Sequence, residues 1–401
     1  MKRASAGGGD VYLDESDIVD EIILDDEDLP DVEDEDNDEA SSYEEPDDSV
    51  HIFTGHTDQV YSVACSPTDA TLVATGGGDN RGFLWRIGQG DWAAELGSHI
   101  DSISSLAFST DGQLLASGGL DGIVGIWDTS GNAKFLLGDP AATQKKEEKD
   151  PAVDFSVGFE WVRWHPRGHL VLAGSNDYTA SMWNADKGVL LNIFSGHGGL
   201  LTCGDFTPDG KTICTGSEDA TLRIWNPVTG ESIHVIGGHP YHAEGLTCLA
   251  ISSDSTLALT GATDGSVNIV NITTGKVVSS LSAHSDSIEC IALAPSMPWA
   301  ATGSRDHDLI IWDLQHSSPR STCKHEDGVT CLTWLGSSRY LATGCIDGSI
   351  LLWDSRSGDC VRTFGGHSEC IQSLSVSSNQ DFLVSVSDDA TARVFEIAEF
   401  K

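Results

Sequence analysis

Eight aspartates recur along this chain at a near-constant interval, and no other feature limits the fold as tightly. They are Asp79, Asp121, Asp177, Asp219, Asp264, Asp306, Asp347 and Asp389. Six residues after each stands an anchor: Trp85, Trp127, Trp183, Trp225, Val270, Trp312, Trp353 or Phe395. Successive anchors are 42, 56, 42, 45, 42, 41 and 42 residues apart. Four residues before each aspartate come Thr75, Ser117, Ala173, Thr215, Thr260, Thr302, Thr343 and Ser385, so only Ala173 departs from Ser/Thr. About 28 residues ahead of the anchors stand His56, His99, His197, His284, His325 and His367, and in the fifth repeat His239 stands 31 ahead. A unit this short cannot bury its own apolar face and must stack on copies of itself. Stretches such as LLASGG, GIVGIWD and LIIWDL read as strands, with Gly/Asp turns between them.

Gly55-His56, Gly196-His197, Gly238-His239 and Gly366-His367 open repeats, and Trp127-Asp128, Trp312-Asp313 and Trp353-Asp354 close them. The pattern resembles the WD40 repeat over residues 50–401. The resemblance implies an all-β fold, an eight-bladed WD40 β-propeller in which each blade is a four-stranded antiparallel sheet. His, Ser/Thr, Asp and Trp also look like a catalytic set. A catalytic set occurs once per active site, whereas this one recurs in every blade. In WD40 proteins it forms a hydrogen-bonded chain that fixes the turns, and a closed chain satisfies buried polar groups. It is expected complete in blades 1, 2, 4, 6 and 7. Blade 5 lacks the Trp, blade 8 has Phe395, and blade 3 has Phe155 and Ala173 at the His and Ser/Thr positions.

The chain ends just after the third strand of blade 8. SVHIFTGH (49–56) matches CVRTFGGH and LLNIFSGH, outer strands that run into Gly-His. The domain from 50 to 401 is therefore expected to close by using a strand at 50–54 as the outer strand of blade 8. Closure removes exposed edges.

Residues 1–49 form an acidic tail. Up to residue 50 there are 21 of the 62 acids against 2 of the 22 basic residues, a charge of −19, which leaves 41 against 20, or −21, for the rest. Such composition predicts disorder. Ile22, Ile23 and Leu24 sit inside the acidic run and are candidates for docking on a partner or on the propeller wall; plain solvation is the alternative. A net charge of −40 repels nucleic acid and anionic lipid and attracts basic partners. No apolar run spans a membrane, and the N-terminus lacks a secretory h-region. The ten cysteines are scattered; Cys65, Cys203, Cys248, Cys290 and Cys331 fall in apolar runs and are expected reduced, in a cytoplasmic or nuclear protein. A disulfide framework or zinc site is the alternative.

Two insertions break the rhythm, at 139–151 and 237–245. Both join an outer strand to the next inner strand, on the rim conventionally called the top. Asp58, Asp101, Asp286, Asp327 and Glu369 follow the repeat His by two residues on that rim, with Glu160, Glu218, Glu244, Glu289, Glu326 and Asp388 nearby. An acid after Gly-His is common in WD40 repeats, so Glu160, Glu218, Glu244 and Glu289 are the less generic members. Tyr61 and Trp161 are expected beside them, placed to stack on a partner's Arg or Tyr.

TGGGDNRGFLWRI (75–87) and FEWVRWHPRGHLVLAGSNDYTASMWN (159–184) resemble the angio-associated migratory cell protein family, as does an acidic tail ahead of eight repeats. Its fungal member is a dedicated chaperone of one basic large-subunit ribosomal protein, whose N-terminal segment it holds on an acidic top face. The resemblance implies a non-catalytic, monomeric binding protein of ribosome biogenesis. Animal members are described through cell migration and signalling, so a scaffold role is the alternative. No nucleophile elbow, P-loop or HExxH occurs. Cys323-Lys324-His325 offers a Cys/His pair, but His325 belongs to the blade 7 chain. No cofactor, metal or nucleic acid ligand is expected; Lys145, Lys146 and Lys149 are matched by Glu147, Glu148 and Asp150.

Overall fold

A strand puts alternate side chains on opposite faces, and in a ring of blades both faces of the middle strands are covered. Leu72–Gly77 and Leu114–Gly119 are accordingly buried at every position. The computed structural model describes residues 47–90, 93–138 and 157–401. They form eight four-stranded antiparallel sheets. Blade 1 runs outward through Val60–Cys65, Leu72–Gly77, Gly82–Arg86 and Ala93–Leu96, and blades 2 to 7 repeat that order. Inner strands pack side by side, and that of blade 8, Ile371–Val376, packs on that of blade 1. The expectations for the tail with Ile22, Ile23 and Leu24, for the insertion 139–151 and for Phe155 lie outside the described residues.

The core is divided among the seams. Eight apolar clusters each join residues of two neighbouring blades. The seam of blades 1 and 2 buries Leu84 and Leu96 against Leu115 and Trp127. At the seam of blades 8 and 1, His51–Phe53 is the outer strand of blade 8, antiparallel to Ala392–Glu396. Phe53 stacks on Trp85 with ring centroids 5.0 Å apart. The first and last strands of the described residues thus share one sheet.

Every inner strand carries a β-bulge at its second residue. A bulge leaves one residue outside the ladder and re-aims its side chain. The bulged residues are Tyr61, Ser104, Glu160, Thr202, Thr247, Glu289, Thr330 and Gln372. Four of them tie their blade to the next: the hydroxyls of Ser104, Thr202, Thr247 and Thr330 donate to the carbonyls of Phe159, Leu246, Ile288 and Ile371.

Candidate functional site

The top face is framed by the repeat hydrogen-bond chains, which in blades 1, 2, 4, 6 and 8 tie the connection between blades to the turn between the second and third strands. In blade 2, His99 Nδ1 lies 3.1 Å from Asp121, its Nε2 lies 2.8 Å from Ser117 Oγ, and Trp127 Nε1 donates to Ser117 Oγ at 2.9 Å. The same three links join His56, Asp79, Thr75 and Trp85 in blade 1. They recur for His197, Asp219, Thr215 and Trp225 in blade 4 and for His284, Asp306, Thr302 and Trp312 in blade 6. In blade 8, His367 bonds Asp389 and Ser385 without the indole. Burial lowers the pKa of His56 and of His197, so each ring is neutral and its protonated Nδ1 faces the carboxylate. That assignment follows from the network.

Two blades depart from the sequence reading. In blade 7, Thr343 receives Trp353 Nε1 at 3.1 Å and bonds His325 Nε2 at 2.9 Å, but Asp347 does not reach the histidine. The His325 backbone N–H donates to the His307 carbonyl at 2.9 Å, which continues the neighbouring strand through the histidine. Its Nδ1 then donates to the Cys323 carbonyl at 3.2 Å, and Asp347 serves its own turn by accepting from Ser349. In blade 5 the histidine is His242, not His239, which is exposed. His242 Nε2 lies 2.8 Å from Thr260 Oγ1, and its Nδ1 lies 2.6 Å from the Ser266 hydroxyl, which donates to Asp264. The Tyr241 hydroxyl lies 2.8 Å from Thr260 Oγ1, where the other blades place an indole N–H. The ring sits in the seam of blades 4 and 5 beside Val270. The insertion at 237–245 thus supplies what blade 5 lacks. His242 stands 28 residues before Val270, the same offset as in blades 2, 4, 6, 7 and 8, and that count was the available signal.

The aromatic expectation is half corrected. Trp161 does not present itself to a partner. The bulge at Glu160 turns the next side chain inward, and Trp161 is 4% exposed. Its indole donates to the Leu201 carbonyl at 2.9 Å, the seam contact made by hydroxyls elsewhere. Its ring fills a slot over Gly174 and Gly204, where an added Cβ would come within 2.2 and 2.3 Å of it. Tyr61 is half-buried at the rim, and its hydroxyl donates to Gln59 at 3.0 Å. Burial, and then Asp58 and Asp388 beside it, raise its pKa.

The acids divide by what already engages them. Asp58, Asp101, Asp286 and Asp327 hold one orientation, each accepting the next backbone N–H at 2.7 to 2.8 Å. Asp388 receives the Gln372 amide at 3.0 Å on both oxygens, and Glu289 is paired with Arg305 Nε at 2.8 Å. Glu244 accepts the Thr263 hydroxyl at 3.0 Å. Glu326 and Glu369 are exposed. Glu160 and Glu218 have no cation within ion-pair distance among the described residues. Burial raises the Glu160 pKa and the neighbouring Glu218 carboxylate raises it further. Of these acids, among the described residues only Glu289, with Arg305, and Asp327, with His307 at 4.0 Å, face a basic group of the chain, so uncompensated carboxylates stand all around the rim, Glu160 and Glu218 among them.

Among the described residues no cluster of three or more His, Cys, Asp and Glu suits a metal. All ten cysteines are free, and burial pushes the thiols of Cys65 and Cys331 up to about 12. Such thiols are poor nucleophiles. Cys323 is likewise pushed up to about 12 by burial. No helix is long and apolar enough to cross a membrane.

Comparison with known proteins agrees with this geometry. The family model "WD domain, G-beta repeat" matches eight segments, from 47–86 to 358–396. Angio-associated migratory cell protein of Canis lupus familiaris is 33% identical over 372 residues, which is 89% of this chain and 81% of that protein. The Homo sapiens protein is 32% identical over 89% and 82%. Among solved structures, Chaetomium thermophilum Sqt1 bound to the N-terminus of the ribosomal protein L10 superposes with a TM-score of 0.77. It is 24% identical and covers 88% of this chain and all of that one. Saccharomyces cerevisiae Sqt1 gives 0.76 at 20% identity, covering 88% and 99%.

Proposed function

The chain belongs to the WD40 repeat family and, within it, to the family of the angio-associated migratory cell proteins; from that premise we propose that it shields a basic segment of a large-subunit ribosomal protein on its top face during ribosome assembly. A WD40 propeller is a binding scaffold, and its fold alone names no ligand. The observation that carries the reading is the pair Glu160 and Glu218. Burial, and then the Glu218 carboxylate, make Glu160 costly to ionise, and with no cation beside the pair among the described residues, one supplied from outside would stabilise it. The rest of the rim and the −40 net charge extend that attraction and speed encounter with a basic partner. Sqt1, which shares the fold, is bound in its crystal to the N-terminus of ribosomal protein L10, and the corresponding segment is the first client to test. Cytoplasm or nucleus, where ribosomal proteins are made and installed, is the compartment this role requires.

The test is binding of that N-terminal segment to the full chain at two salt concentrations. Affinity should fall steeply as salt rises. Glu218→Lys with Glu244→Lys should weaken it by at least about tenfold, roughly 1.4 kcal/mol. Glu160→Gln should weaken binding while raising thermal stability at neutral pH. The sign follows from the raised pKa: the folded state holds this proton more tightly than the unfolded one, so stability falls as pH rises past the ordinary carboxylate range. Reversals that leave binding unchanged would sink the top-face assignment. Partners with apolar anchors and little salt dependence would favour a signalling scaffold.

A further inference from the structure

We infer that the cleft between blades 2 and 3 is a second binding site, independent of the top face, for an extended apolar segment of a partner protein that carries a cation at one end. Three features meet there. The first is an edge. The outer strand of blade 3, Val189–Ser195, reads VLLNIFS and contains neither charge nor proline. Outer strands expose unpaired backbone groups, and charges or prolines on them block unwanted pairing. The outer strands of blades 1, 2, 5, 6 and 7 carry Glu95, Lys134, Lys276, Pro319 with Arg320, and Arg362. Blades 4 and 8 are also uncharged, but their outer strands are five and three residues against seven in blade 3.

The second is a cavity of about 480 Å3 that runs beside this edge from Asp177 to Gly188. Leu136 and Leu137 of blade 2 form one wall, and Trp183, Leu190 and Ile193 of blade 3 form the other. Leu136, Leu190 and Ile193 are 51%, 46% and 53% exposed. An acidic protein has little reason to leave such a wall to water.

The third is the carboxylate at the mouth. In blades 1, 2, 4, 6 and 8 the repeat aspartate is held by the histidine. In blade 3 Asp177 accepts, among the described residues, only from the backbone and hydroxyl of Thr179, and it lines the cavity. An edge strand with an apolar slot beside it and a carboxylate at one end is the complement of a β-strand with apolar side chains on one face and a Lys or Arg beyond its end. A second copy of the chain would bring another −40 of charge, which disfavours it as the occupant.

The test uses the full chain and one probe, the blocked peptide Lys-Val-Thr-Val-Thr-Val-Thr-Ser. Saturable binding should slow amide exchange in Val189–Ser195 at least tenfold. Leu190→Lys and Ile193→Lys, both at exposed positions, should each abolish it without changing the melting temperature. Asp177→Asn, or Glu for Lys in the peptide, should weaken it several-fold, while Glu218→Lys should leave it unchanged. No saturable binding, or binding that survives both lysine variants, overturns the site. Equal slowing on the outer strand of blade 6 overturns it as general stickiness. Sedimentation of a dimer that Leu190→Lys dissolves overturns it in favour of a second copy.

Discussion

Blades 3 and 5 both depart from the repeat, and they were treated differently. Blade 5 has Val270 where most blades have Trp, and its own connecting loop makes good the loss. Tyr241 brings a hydroxyl to Thr260, and His242 completes the relay to Asp264 through Ser266. Blade 8 is repaired from further away, by a strand from the start of the described chain. Blade 3 has Ala173 in place of Ser/Thr, and among the described residues Asp177 is held only by its own turn. A departure that is compensated serves stability. One left uncompensated beside a cavity marks where other demands have outweighed regularity.

That contrast can be broken experimentally, and the largest effect belongs to the most distant repair. Deleting 50–54 removes Phe53 from the seam of blades 8 and 1 and opens a sheet edge. It should lower the calorimetric Tm by more than about 10 °C, against a few degrees at most for deleting 1–45. Next comes Tyr241→Ala, which empties a buried site and leaves Thr260 a partner short; about 3–5 kcal/mol of stability should be lost in urea titrations. Tyr241→Phe separates the hydroxyl from the ring and should cost about 1–2 kcal/mol.

The third test is pH. Burial lowers the His242 pKa from 6.5 to about 4. The unfolded chain therefore takes up this proton before the folded one does. The contribution is fully present above 6.5 and is lost as pH falls from 6.5 towards about 4. Melting temperatures should decline over that window, and His242→Gln should be less stable at pH 7 but less acid-sensitive. A variant that keeps the full slope would remove blade 5 from the account. The smallest effect is the sharpest comparison. Asp219→Asn in regular blade 4 disturbs bonds to His197, Gly198 and Thr221 and should cost about 1–3 kcal/mol. Asp177→Asn in blade 3 should stay within about 0.5 kcal/mol. Equal costs would mean that Asp177 is as structural as the rest.

The acidic rim was partly legible in advance. Glu160, Glu218, Glu244 and Glu289 stood out because their types at those offsets are unusual for the repeat. Glu289 is nonetheless neutralised by Arg305, which stands 16 residues later and is brought back by the turn of blade 6. Trp161 was misjudged because a single-residue bulge reverses the face on which a strand residue lies. Linear spacing does not register a bulge, and the matching glycines, Gly174 and Gly204, lie on two different strands.

The eight anchors, the aspartates six residues ahead of them and the match of SVHIFTGH to other outer strands determined the architecture and its closure. They are local, periodic signals, and stacking identical units amplifies them. Tertiary structure alone decided which carboxylates are left without a partner, which aromatic faces inward, and that a loop tyrosine stands in for a missing tryptophan. Those outcomes depend on distances between residues that belong to different blades or loops. Electrostatic and packing energies are set by those distances, not by order along the chain.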